Sequence, residues 1–316
     1  MCDVVGILLL GKPLSVQDRN IITKNMKLLN EIAEVGGGGE FLDMLPSLRF
    51  FGNGVYKKIV EMIEQRKQYI GDWFKKTHYD GFVHHIQTMD EAEKERNCIA
   101  SDKEQRMIVW DFLIGGILTS HSSMMTLINV LAHKPDIQDK LQEELMREVG
   151  ASREPTLRDR DYLPYHQATL LELTRFSSIS PVGIPHKACV DTQLSGYPIR
   201  KNTEIWTNLW GMHHDEALFP EPFAFVPERF LDSSGNVVKP DHPNRKRMLA
   251  FGAGPRVCVG EVFALNRLFI LLAGMMQKLR ILPETTIDEQ LSMDPRNMIM
   301  GTLMTMKPYK VRFQPQ

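Results

Sequence analysis

Hydrophobic positions recur at helical spacing along most of this chain. Ile59, Met62, Ile63, Ile70 and Phe74 share one face and predict an amphipathic helix over 60–73. From Ile108 to Leu131 the pattern is apolar nearly all round and is opened by Asp111. A helix of that kind runs through the middle of a domain rather than over its surface. Pro135 restarts the chain into a charged-face helix over 136–145, and Pro164 opens another that carries Ala168 to Phe176. Beyond residue 179 the character changes. Pro181, Gly183, Pro185 and Gly196 separate short β-like runs such as Thr203-Glu204-Ile205-Trp206-Thr207. A proline-rich irregular stretch follows through Phe230, and a last long helix is predicted over 261–279. Gly36 to Gly39 read as a flexible loop, because a glycine run does not hold a helix. The charged stretch Met89 to Gln105 fits a solvated linker or an exposed helix equally well. Together these elements predict a mainly α chain with a small β-region and no internal repeat.

Length and composition narrow the picture without changing it. The 316 residues suffice for one large domain or two ordinary ones, and 43% hydrophobic residues provide a substantial core. A formal net charge of -1 with no long basic tract disfavours nucleic acid as a partner. Cys2, Cys98, Cys189 and Cys258 lie far apart with no CxxC pair, which argues against a disulfide framework or a zinc site and suits a reducing compartment. The opening run Met1 to Gly11 is too short to span a bilayer and lacks the basic start of a secretory signal, so a helix end or strand is expected there. Leu268 to Met276, flanked by Arg267 and Lys278, reaches only about half of the ~20 residues a crossing needs. No anchor is expected within these residues.

The chemistry concentrates at Cys258, in the loop Phe251-Gly252-Ala253-Gly254-Pro255-Arg256-Val257-Cys258-Val259-Gly260. A lone cysteine is ordinarily a small buried hydrophobe. Here Gly254 and Gly260 let the backbone pass close to a flat object, and Arg256 places a fixed positive charge two residues before the sulfur. A helix starting near Glu261 would aim its free N–H groups back at the sulfur and favour a thiolate. Such a thiolate is the axial ligand that pushes electron density onto haem iron. Glu172 and Arg175, three apart on a helix, would ordinarily form a surface ion pair. With Arg229 of Pro227-Glu228-Arg229-Phe230 downstream, they can instead build a buried Glu–Arg–Arg cluster that locks the loop. His213 and His214 invite a metal reading, but adjacent side chains point apart and no third ligand is suitably spaced. Arg245-Lys246-Arg247 fits either an acidic redox partner's docking site or a solvated loop.

A helix with Gly115-Gly116-x-x-Thr119, then Glu172-x-x-Arg175, then Pro227-Glu228-Arg229-Phe230, then the cysteine loop, resembles the cytochrome P-450 family over essentially the whole chain. Ile184-Pro185-His186-Lys187-Ala188, Asn208-Leu209-Trp210 with His213-His214, and Phe251 to Arg256 look most like its steroid 17-alpha-hydroxylase/17,20-lyase branch. The resemblance implies a single domain over 1–316, with variable helices and loops in 1–110 and the functional core in 111–316. It implies haem b bound by Cys258, with Arg256 and His186 holding the propionates and Phe251, Gly252, Gly254 and Gly260 shaping the loop. Thr119 would be the hydroxyl beside bound oxygen, able to bond the Gly115 carbonyl one turn back. Phe112, Ile114, Gly115, Ile179, Ser180 and Val182 would face the substrate. The implied activity is monooxygenation of a lipophilic molecule, a steroid by preference, with fatty acids and foreign compounds as alternatives. Dioxygen and electrons from NADPH through a flavoprotein reductase would drive it, at the cytosolic face of the endoplasmic reticulum membrane.

Two departures qualify that expectation. The position before the threonine, where relatives commonly carry an acid used in proton delivery, is Leu118. Relative to the family, the N-terminal part with its membrane anchor and first helices is also missing from the sequence. A catalytically impaired haem-binding remnant or a truncated isoform therefore stands as the rival reading.

Overall fold

The computed structural model describes residues 2–36, 54–76, 80–96, 101–284, 292–301 and 303–316. Most of Gly36 to Gly39 and all of Cys98 lie outside them. The described helices are α1 Cys2–Leu10, α2 Val16–Gly36, α3 Gly54–Lys76, α4 Phe82–Thr88, α5 Glu91–Arg96, α6 Asp102–His133, α7 Pro135–Glu148, α8 Pro164–Ser177, α9 Leu209–His213, α10 Pro243–Lys246 and α11 Glu261–Lys278. The strands are β1 His186–Lys187, β2 Thr192–Leu194, β3 Tyr197–Ile199, β4 Glu204–Ile205, β5 Leu279–Pro283, β6 Ile299–Met300, β7 Met304–Thr305 and β8 Val311–Pro315. The fold is mainly helical with minor sheet content. The chain forms two compact units, one of Met1–His121 with Met300–Thr302, the other of Ser122–Ile299 with Leu303–Gln316.

In the first unit, Val5 and Leu9 of α1, Ile70 and Trp73 of α3, Val83 and Ile86 of α4, and Val109 and Leu113 of α6 are buried. The opening apolar run is thus a packed helix. The charged stretch is the exposed-helix alternative over Glu91–Arg96, where α5 forms. The long apolar helix begins at Asp102 rather than Ile108, because Ser101 starts it. The Ser101 hydroxyl accepts the Glu104 amide at 3.3 Å and donates to the Glu104 carboxylate at 2.9 Å, which supplies a cap that the apolar pattern alone does not show. By length and composition α6 is also apolar enough to cross a membrane, against the expectation that no such segment exists. Yet 67% of its most apolar window is buried inside the protein, the behaviour of a core helix.

In the second unit α11 packs against α7 and α8. The core there includes Leu141 and Leu145 of α7, Leu173 and Phe176 of α8, and Leu268, Phe269 and Leu272 of α11. The unit's antiparallel pairs include β1 with β4, β2 with β3, and β5 with β8. The final predicted helix stops at Lys278, and Leu279 opens β5 instead, in register with Pro315 of β8.

Candidate functional site

The loop that carries Cys258 is built from turns. Leu249 accepts the Gly252 amide at 2.8 Å, Gly254 accepts the Val257 amide at 3.1 Å, and Phe251 accepts the Cys258 amide at 2.8 Å. Gly252 and Gly254 sit at φ of +77° and +71°, where any side chain would be strained, so the reversal depends on glycine. Helix α11 starts three residues after the cysteine, with Gly260 as its cap and Ala264 donating to the Gly260 carbonyl at 2.8 Å. Its first-turn amides and the positive end of its dipole therefore lie next to Cys258.

Cys258 is exposed and in no disulfide, and Arg256 near it is exposed too. Val257, Val259 and Val262 around the sulfur are exposed at 44%, 82% and 69%, an apolar margin about one thiol. No group of three or more His, Cys, Asp or Glu able to hold a metal ion occurs among the described residues. A single thiol with apolar flanks suits a metal that brings its other ligands with it, which is the chemistry of a haem. A Cβ on Gly254 would meet nothing within 4 Å, so the glycine leaves that side of the loop open to a flat group. The donor set and the open loop fit haem.

A buried ionic cluster holds the segment that precedes the loop in the chain. Arg175 donates to both Glu172 oxygens at 2.7 Å, and both side chains are wholly buried. Its remaining donors reach the carbonyls of His213 and Pro222 at 2.8 Å and of Ala224 at 3.2 Å. Glu172 also accepts the Val226 amide at 2.9 Å and Arg229 Nε at 3.4 Å. Burial pushes the Glu172 carboxyl up, while Arg175, the Val226 amide and Arg229 pull it back down. Arg229 in turn donates to the Glu221 carbonyl at 2.8 Å. Through backbone carbonyls, this cluster holds the irregular segment 213–226 that precedes the cysteine loop.

The other expected site residues are spread over both units. Thr119 Oγ1 donates to the Gly115 carbonyl at 2.5 Å, and α6 continues unbroken through that turn. Phe112 and Ile114 are half-buried and Gly115 is exposed, with the Phe112 ring edge-on to Phe82 at 5.1 Å. Leu118 is buried. In the second unit Ile179 and Ser180 follow α8 as half-buried residues, and the Ile179 carbonyl accepts the Met304 amide at 2.7 Å. Val182 is half-buried, and His186 lies exposed on β1 opposite Ile205. His213 and His214 point to different partners, as expected for neighbours. His213 Nδ1 faces Ser178 Oγ at 2.7 Å, whereas His214 Nε2 faces the Phe176 carbonyl at 3.1 Å.

The family profile for cytochrome P450 matches residues 1–313. This chain belongs to the cytochrome P450 family. Among curated P450 relatives, sheep steroid 17-alpha-hydroxylase/17,20 lyase is 28% identical over 96% of this chain and 64% of its own length. Human steroid 21-hydroxylase is 30% identical over 100% of this chain and 64% of its own length. Cytochrome P450 1A1 of Oryzias latipes is 32% identical over 91% of this chain and 56% of its own length. The chain thus spans less than two thirds of the P450 relatives it matches. At these identities no branch stands apart from the others. The resemblance to the 17-alpha-hydroxylase branch in particular sharpens only to the family.

Sequence reasoning missed the hydrogen bonds of His213. The only signal was the His-His pair, and its partners Ser178 and Leu249 lie 35 and 36 residues away in the chain. The buried Glu144–His166 pair between α7 and α8, at 2.8 Å, also went unread.

Proposed function

We propose that this chain is the haem-thiolate part of a P450 monooxygenase acting on a lipophilic substrate. The observation that carries the reading is the exposed Cys258 thiol, set in a glycine-turned loop at the start of α11 and braced by the buried Glu172–Arg175 cluster. Cys258 would ligate the iron, and Arg256 and His186 would hold the propionates. Bound haem would supply the redox-active iron at which dioxygen is reduced and one oxygen atom is passed to a C–H bond. The protein's own contribution is to keep one thiolate in place. Helix α11 starts three residues after it, and the turn bonds at Leu249, Phe251 and Gly254 fix the backbone that carries it.

Thr119 offers a hydroxyl that donates to the Gly115 carbonyl one turn back on α6. Leu118 cannot carry a proton, so proton supply to that region would run through water alone. Phe112, Ile114, Gly115, Ile179, Ser180 and Val182 form the proposed substrate-facing set. Its mostly apolar character suits a flat hydrophobic molecule, a steroid by preference, with fatty acids or foreign compounds as the alternatives. Electrons would come from NADPH through a flavoprotein reductase, at the cytosolic face of the endoplasmic reticulum.

The test is the Soret band of the reduced protein under carbon monoxide. A red-shifted band that disappears in Cys258→Ala supports the thiolate site. Absence of haem uptake overturns the enzyme reading and leaves the impaired remnant favoured by Leu118.

A further inference from the structure

The imidazole of His213 is wholly buried and joins two parts of the second unit that are otherwise remote in sequence. Its Nε2 faces the Leu249 amide at 3.3 Å, and an amide can only donate, so Nε2 is the accepting nitrogen. The ring proton therefore sits on Nδ1 and is donated to Ser178 Oγ at 2.7 Å. The Ser178 hydroxyl in turn donates to the Arg175 carbonyl at 3.0 Å, and the His213 carbonyl accepts from Arg175. One tautomer satisfies the whole chain of bonds. Leu249 is the residue whose carbonyl takes the Gly252 amide, at the first turn of the Cys258 loop.

We propose that His213, as its Nδ1–H tautomer, is a positioning residue that fixes the start of the Cys258 loop through the Leu249 amide, and that protonation of Nε2 releases it. The claim rests on the haem-thiolate reading for its consequence, but the contact itself does not. The charged and titratable groups near the ring are Arg175 and its partner Glu172 on α8, and His214 next in the chain. On the loop side, Arg247 donates to the Leu218 carbonyl at 3.0 Å. Burial first, then the charges of His214 and Arg175, hold the His213 imidazole down at about 4. In an unfolded chain it would take a proton near the usual ~6.5. The unfolded state therefore binds more protons between those values. The stability that the contact contributes is complete above the upper value, declines as pH falls between the two, and is lost as pH falls through the lower one, where the folded ring itself takes the proton.

Two near-isosteric variants separate the two ring nitrogens. His213→Gln places an oxygen acceptor near Nε2, whereas His213→Asn keeps a donor near Nδ1 and loses the acceptor. Amide exchange at Leu249, followed in the full chain without added haem, should stay as slow in His213→Gln as in the parent. In His213→Asn it should run about tenfold faster, the loss of one net hydrogen bond. Lowering the pH from about 6.5 toward 4 should accelerate Leu249 exchange, beyond its intrinsic pH dependence, in the parent and not in His213→Gln. Ser178→Gly, which suits the positive φ of 35° at that residue, is the control should the His213 variants fold poorly. Without its serine acceptor the ring proton is free to move to Nε2, and Leu249 exchange should again quicken. Slow exchange in both His213→Asn and Ser178→Gly, or identical acid profiles in the parent and His213→Gln, would overturn the proposal.

With haem added, the red-shifted carbon monoxide band should survive in His213→Gln and weaken in His213→Asn. A parent that takes up no haem defeats the enzyme reading, while the exchange measurements still decide the role of His213.

Discussion

Arg175 is the residue on which the site's backbone depends most. Its fork holds Glu172 in two parallel bonds while the rest of the guanidinium serves three carbonyls between residues 213 and 224. Lysine would keep the charge and lose the fork. Arg175→Lys is therefore expected to lower stability by about 3 kcal/mol, since the buried carboxylate and carbonyls lose their donors. Chemical denaturation with and without haem would measure it, and a change below about 1 kcal/mol would show that the cluster is dispensable. These residues were legible because the pair shares a helix face and the Pro-Glu-Arg-Phe run follows in order. The chain spacing of His213 carries no such information, because its partners are a hydroxyl and a backbone amide from distant segments.

Among the elements, the short 3-10 helix over Leu157–Tyr162 shows how one carboxylate serves several donors. Asp159 accepts Arg153 through both oxygens at 2.6 and 2.8 Å, together with the Thr156 amide at 2.7 Å. Arg153 and the Thr156 bonds hold its carboxyl well below the usual carboxylate range. A carboxyl depressed in the folded state stabilises above its unfolded value near ~3.9 and loses that contribution as pH falls below it. Asp159→Ala should cost about 1 kcal/mol at neutral pH and flatten the acid limb of the stability profile. An unchanged limb would assign acid sensitivity elsewhere. Gln138 of α7 is a second such joint. It donates to the Leu131 and Ile281 carbonyls at 2.8 and 2.9 Å and accepts the Ile281 amide at 2.9 Å, all buried. Gln138→Ala leaves those groups without partners and should lower the unfolding free energy by about 2 kcal/mol in a urea titration. The longer helices α3, α6, α7, α8 and α11 were legible from their own periodicity, with Pro135 and Pro164 marking two of the starts. The β5–β8 pair was not. Five-residue strands some thirty residues apart are defined by each other, and neither has a pattern long enough to declare itself.

For the molecule as a whole, the question is how far a chain spanning under two thirds of its relatives retains their chemistry. Leu118 offers a direct probe. Leu118→Asp places a carboxyl beside Thr119, and in the loaded protein it should raise the yield of product per electron. Equal yields in both forms would show that water alone supplies the protons. The β5–β8 ladder bears on this in a different way. Val311–Pro315 clamps the end of α11, and Gln316 adds bonds to the Met276 and Leu279 carbonyls at 2.9 and 3.1 Å. During synthesis Cys258 leaves the ribosome more than fifty residues ahead of that clamp. The C-terminal end of α11 thus gains these bonds only once residues beyond 310 are available, and a chain halted near Pro283 would present β5 as a bare edge to its neighbours.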